Sequence, residues 1–286
     1  MKNFWENKNS SFVACALIFL ISIFLRSRID IGGDSAFQIN LAAKISKEGR
    51  YYYDFFESNF PLSFWIYVIP YRISQFLNIS PIVSSDIFIN LLGILSLFFS
   101  ARILKESTLR IDHQNLIISS FALGFFLRVH ALPVNEFATK TSFCLLPAFP
   151  YISFSFARKN PLTTAELIWR GIFAGLIPCL KPHYIFLPLL IEIDRFRQKK
   201  SLRFFVELDK LLIVVIGLGY LLLMLKFTPE FFEFMVPMWS SIYGPYVKIS
   251  DFWGRVIYHL SSKIIFFSGF FLVFLRKKFA HEDRIL

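Results

Sequence analysis

Three carboxylates and a lysine-bearing turn are the residues of this chain best suited to chemistry. Asp34, Asp54 and Glu57 stand, with Asp30, in one polar interval, DIGGDSAFQINLAAKISKEGRYYYDFFESNFPL, between an apolar segment ending at Leu25 and another beginning at Pro61. A carboxylate held at a bilayer surface can take a proton from an acceptor hydroxyl. Far along the chain, LKPHY presents Lys181 and His183, while Arg128 and Lys140 lie between. Such cations neutralise a phosphate, lysine as a compact point charge. A base facing cations suits transfer from a lipid phosphate to a hydroxyl. Each residue also has a plainer reading. Asp34 can cap a helix, Asp54 and Glu57 can be solvated loop charges, and Lys181 beside Pro182 can snorkel to an interface. His183 and His130 have no second His or Cys at metal spacing, so no metal or other cofactor is expected. Tyr51–Tyr53 and Trp239–Tyr246 read first as an aromatic belt and second as sugar-stacking platforms. No Walker loop, GxSxG or HExxH motif occurs.

The elements that must position these groups are helices in a membrane. Gly32-Gly33 marks a turn, and Asp34 takes the N-cap place ahead of a helix over Ser35–Lys47. Phe37, Leu41 and Ile45 recur every four residues, filled out by Ala36, Ile39 and Ala43. Lys44, Lys47 and Glu48 carry the opposite face. That pattern predicts an amphipathic helix lying along the bilayer. With 55% hydrophobic and 19% aromatic residues in 286, the chain is too apolar for a soluble domain and reads as one transmembrane unit over 1–286. The net charge of +11 sits in short loops between apolar runs, which argues for membrane orientation and against a nucleic-acid partner. Cys15, Cys144 and Cys179 each lie inside an apolar run and read as small core residues.

Lys2 and Lys8 precede Phe12–Leu25, and no small-residue cleavage site follows, so this segment reads as an uncleaved first span. Further apolar runs centre on Ile87–Phe99, Leu116–Leu127, Phe143–Ala157, Gly171–Ile193, Leu211–Leu225 and Val256–Leu275. The basic segment 194–210 and the tail after Arg276 are assigned to the cytoplasm, which leaves Phe227–Arg255 outside. Two arrangements, each of about eight crossings, agree with this. In one, Pro61–Ile79 lies in the outer interface within an external loop of residues 27–84, and Gly171–Ile193 is a hairpin of two short helices turning at Lys181-Pro182. In the other, each of those segments spans once. The first keeps Arg102, Lys105, Arg110, Arg158, Lys159 and Arg170 inside and is preferred. Its hairpin arms, at about ten residues, would reach only ~15 Å.

GGDSAFQINLAAKISKEGRYYYDFFESNFPLSFWIY resembles the first external loop of the GT-C superfamily of integral membrane glycosyltransferases, which includes protein O-mannosyltransferases and lipid A aminoarabinose transferases. Asp34 falls on the first acidic position of that pattern. Ser35 stands where a second acid is usual, so a paired-acid or metal-binding role is not carried over. ARILKE (101–106) is similar to the inner end of the family's next span, GIFAGLIPCLKPHYIFLPLL (171–190) to its short hairpin, and NEFATKTSFCLLPAFPYI (135–152) to a bacterial subgroup motif. The resemblance implies a polytopic all-α bundle of the bacterial inner membrane. It also implies inverting transfer of a sugar from a polyprenyl-phosphate donor to an envelope glycan, lipid or protein on the outer face. Asp34 would be the base, with Asp54 and Glu57 as lesser candidates, and Lys181 would meet the donor phosphate, helped by His183 or Lys140. The partners expected are the lipid-linked sugar and membrane lipids. A non-catalytic binder or transporter of polyprenyl lipids, or a shortened inactive relative, is the alternative.

Overall fold

The computed structural model describes residues 10–26, 33–107, 109–126, 140–156 and 162–243. Within them the chain is helical apart from loops and one isolated bridge between Tyr51 and Phe55. Ten α-helices follow in order: α1 Ser10–Arg26, α2 Gly33–Ser46, α3 Leu62–Leu77, α4 Pro81–Lys105, α5 Ile111–Phe126, α6 Lys140–Phe156, α7 Thr164–Leu180, α8 Phe186–Lys199, α9 Leu208–Phe227 and α10 Val236–Tyr243. Short 3-10 turns at Pro182–Ile185 and Leu202–Val206 and a π turn at Phe231–Met235 join the later ones. The span expected at Val256–Leu275, the loop from His130 to Thr139 and the basic tail lie outside the described residues.

By length and composition, α4 and α9 are long and apolar enough to cross a membrane. On α9, Leu211, Val214, Val215, Leu218, Leu221, Leu222 and Leu225 are all exposed, a continuous apolar surface of the kind that marks a membrane or partner contact. The centre of the bundle is α6, packed between α4 and α7. Small residues let the backbones approach there. On α4, Ser85, Gly93, Ser96 and Ser100 are buried on one side, and the Ser96 hydroxyl donates to the Leu146 carbonyl at 2.7 Å. A Cβ on Gly93 would stand 2.1 Å from the Phe125 ring of α5. Between α7 and α9 the same device is a G-x-x-x-G pair. Gly171 lies against Asp209 and Leu212, and Gly175 against Ile216.

The hairpin predicted over Gly171–Ile193 is present, with its turn at Lys181–Ile185. The side chains of Arg170 and Glu192 form an ion pair. On a single straight helix those residues would be about 33 Å apart. The arms are 17 and 14 residues long, so both extend beyond the predicted limits. Upstream, a Thr163–Glu166 capping box starts the first arm.

Two details of α2 differ from expectation. The helix begins at Gly33, which puts Asp34 in its first turn and not at its cap. The buried face is Ser35, Gln38, Leu41 and Ala42, while Phe37 is 44% exposed. Polar partners on α3 and the following loop, described below, select that face over the purely apolar stripe.

Candidate functional site

Asp34 is exposed in the first turn of α2, where the helix dipole favours a carboxylate. The next residue, Ser35, is buried and shares a hydrogen bond with the hydroxyl of buried Tyr67 on α3. Burial first, and then the nearby Asp34 charge, raise the Tyr67 hydroxyl above its ordinary range, partly offset by the Ser35 bond. The Tyr67 ring meets Phe143 of α6 edge-on, with centroids 5.3 Å apart. Beside Phe143, the Cys144 thiol lies within electrostatic reach of Lys181. Asp34 is therefore within electrostatic reach of Tyr67, Tyr67 touches Phe143, and Lys181 is within electrostatic reach of the neighbouring Cys144, so the start of α2 and the hairpin turn lie toward the same end of the bundle.

Lys181 is there for a local reason. Pro182 cannot continue α7, so the chain breaks at Lys181 in extended backbone and restarts as a 3-10 turn. The Lys181 ammonium stands over the Tyr184 ring at 5.8 Å, and exposed His183 tilts against the same ring. Lys140 is the first residue of α6, one helical turn ahead of Cys144.

The other two carboxylates hold the loop together. Asp54 is exposed and accepts the Arg50 backbone N–H at 2.6 Å, while Lys44 donates to the Asp54 carbonyl at 2.9 Å. Glu57 is not a solvated charge. It is 5% exposed and accepts from Gln38 Nε2 at 2.6 Å, from the Asn59 backbone N–H at 2.9 Å and from the Asn59 side-chain amide. Tyr51, whose hydroxyl donates to the Glu57 carbonyl, fills the space beneath between Phe55 and Phe64. Asp34 is the carboxylate of the three that the fold leaves open at a helix start. Among the described residues no group of three or more His, Cys, Asp or Glu could hold a metal, and all three cysteines are free thiols.

Two further clusters have no counterpart in the sequence reading. At the other end of α7, Arg170 is 1% exposed and paired with Glu192 of α8 and, at 3.3 Å, with Asp209 of α9. Arg195 reaches Asp209 at 3.1 Å, Lys210 reaches Glu192 at 3.1 Å, and Tyr151 of α6 donates to Glu192 at 2.7 Å. Next to them, burial works against ionised Glu207, but hydrogen bonds and charge from Lys199 and Lys210 outweigh it and hold its carboxyl below the ordinary 4.5. The signal in the sequence was the acids Glu192, Glu207 and Asp209 at the two ends of an otherwise basic segment. The second cluster is a cleft of about 660 Å³ between the ends of α2 and α9, lined by Glu48, Arg50, Lys226 and Glu230 over an aromatic floor. No family model, curated protein or solved structure matches this chain.

Proposed function

We propose that this protein is a multi-pass membrane glycosyltransferase that moves a sugar from a polyprenyl-phosphate donor to an acceptor hydroxyl on the outer face of the membrane. The observation that supports this reading is the succession of neighbours from Asp34 to Lys181, in which Ser35 bonds Tyr67, Tyr67 meets Phe143, and the charges of Asp34 and Lys181 act on Tyr67 and Cys144. It puts an open carboxylate and a lysine at one end of an apolar bundle, which a transfer between a lipid phosphate and a hydroxyl requires. Asp34 takes the acceptor proton as the hydroxyl attacks the sugar carbon and the bond to the donor phosphate breaks. Lys181 then balances the negative charge left on the departing phosphate. His183, whose ring tilts against Tyr184 beside Lys181, and Lys140 at the start of α6 are the further candidates for the donor phosphate. About eight crossings and an inner-membrane location belong to the same reading.

Replacing Asp34 by Asn keeps the size of the side chain and removes the base. Membranes containing the D34N chain should transfer labelled sugar from a polyprenyl-phosphate donor at less than about one hundredth of the parent rate, in line with the weight of general-base catalysis. Turnover equal to the parent would overturn the assignment. A binding protein for polyprenyl lipids is the second reading, favoured by Ser35, which is spent on Tyr67 where a second acid would stand. Under it the purified chain retains the sugar-bearing lipid and never releases free carrier.

A further inference from the structure

The cleft between α2 and α9 lies away from Asp34 and Lys181, and its lining is sorted by chemistry. Its charged rim comprises Glu48 and Arg50 at the end of α2, and Lys226 and Glu230 at the end of α9. The rim therefore carries two acids and two bases and no net charge. Arg50 and Glu230 approach within 3.8 Å. Lys226 sits over the Phe227 ring, with the ammonium 5.3 Å from its centroid. Below the rim are Tyr51, Trp65 and Phe227, and beside them Leu223 on the exposed apolar surface of α9. Because α9 is apolar up to Lys226, the rim stands where that helix leaves the hydrocarbon, level with lipid headgroups, and Leu223 marks the way in from the acyl layer.

A ligand that fits must be apolar along one side and carry both signs of charge at its end. An anionic lipid satisfies Lys226 and Arg50 but meets Glu48 and Glu230 with repulsion. We infer that the cleft binds a zwitterionic phospholipid of the phosphoethanolamine type, its phosphate on Lys226 and Arg50 and its primary ammonium on Glu48 and Glu230. Carboxylates accept N–H donors, which an ethanolamine headgroup has and a choline headgroup lacks. The volume is within the range of small-molecule sites.

The inference rests on the membrane reading of α9 and not on the transferase reading, and the test separates the two. Carbonate extraction of native membranes comes first. Release of the chain would overturn the membrane reading and the lipid site with it. For the retained protein, the delipidated full-length chain is titrated in detergent with dioleoyl-phosphatidylethanolamine, dioleoyl-phosphatidylglycerol and dioleoyl-phosphatidylcholine, and bound lipid is counted by native mass spectrometry. The ethanolamine lipid should bind about tenfold or more tighter than the other two, the usual scale for a charge-assisted pair. Lys226→Glu should abolish that preference, Glu48→Lys should turn it toward the glycerol lipid, and the double exchange should restore it. Both positions are exposed, so the fold is untouched by these changes. Equal binding of the three lipids, or a preference unmoved by either single reversal, would overturn the site.

Discussion

Glu57 is a buried carboxylate whose hydrogen-bond donors are all neutral amide and hydroxyl groups, which makes it a sensitive point of the loop after α2. Removing it strands Gln38 and Asn59. Glu57→Ala should therefore cost about 1–3 kcal/mol, read as a lower midpoint in thermal denaturation of the detergent-solubilised chain. Glu57→Gln should cost less than half of that. The Gln38 Oε1 atom is buried without a partner, so a flip of its amide lets it accept from the new one. D34N should lower the same midpoint less than Glu57→Ala does, because Asp34 is exposed and gives up only its interaction with the helix dipole, about 0.3–1 kcal/mol. This contrast separates a residue that holds the loop from one that acts on substrate. The place of Asp34 near a helix start could be read from Gly32-Gly33 and the apolar spacing behind it. The burial of Glu57 could not, since its main partner lies on another element and the local sequence is plainly polar.

Helices α7 and α9 touch through glycines, and so they are sensitive to a single methyl group. Gly171→Ala would bring a Cβ to 2.7 Å from both the Asp209 carbonyl and the Leu212 side chain. The two helices must then part, at a cost of about 1–3 kcal/mol, and Asp209 moves away from Arg170 with them. Gly217→Ala is the comparison. Nothing lies within 4 Å of its Cβ, and alanine is the better helix former, so its thermal midpoint should equal or exceed the parent's. Equal midpoints for the two variants would mean that α7 and α9 do not pack as described. At this scale much could be read in advance. Apolar runs located α1, α4, α5, α6 and α9, and loop charge together with Lys181-Pro182 located the hairpin. The choice of packing faces could not be read, because Ser35 and Gln38 turn α2 toward hydrogen bonds that outrank its apolar stripe. The spacing of Gly171 and Gly175 was visible, yet the helix they meet is fixed only by the folded hairpin.

For the molecule as a whole, the decisive quantity is which ends of the helices share a compartment. Asp34 and Lys181 are at one end, and Arg170 with Asp209 at the other. In chains with Cys15, Cys144 and Cys179 replaced, single cysteines at 34 and 181 should react with an impermeant maleimide added to intact cells. Those at 105 and 200 should react only after permeabilisation. Labelling of 181 from inside and 34 from outside would dismantle the proposed site. The buried junction also bears on how the protein is made. A ribosome extends α7 and α8 before α9 exists, so the Arg170 guanidinium first has the Tyr151 ring and, of its two carboxylates, Glu192 alone, and Asp209 arrives with the next helix. The hairpin can settle fully only once that later segment is threaded beside it, and a chain halted between the two would present an incompletely neutralised arginine to the insertion machinery.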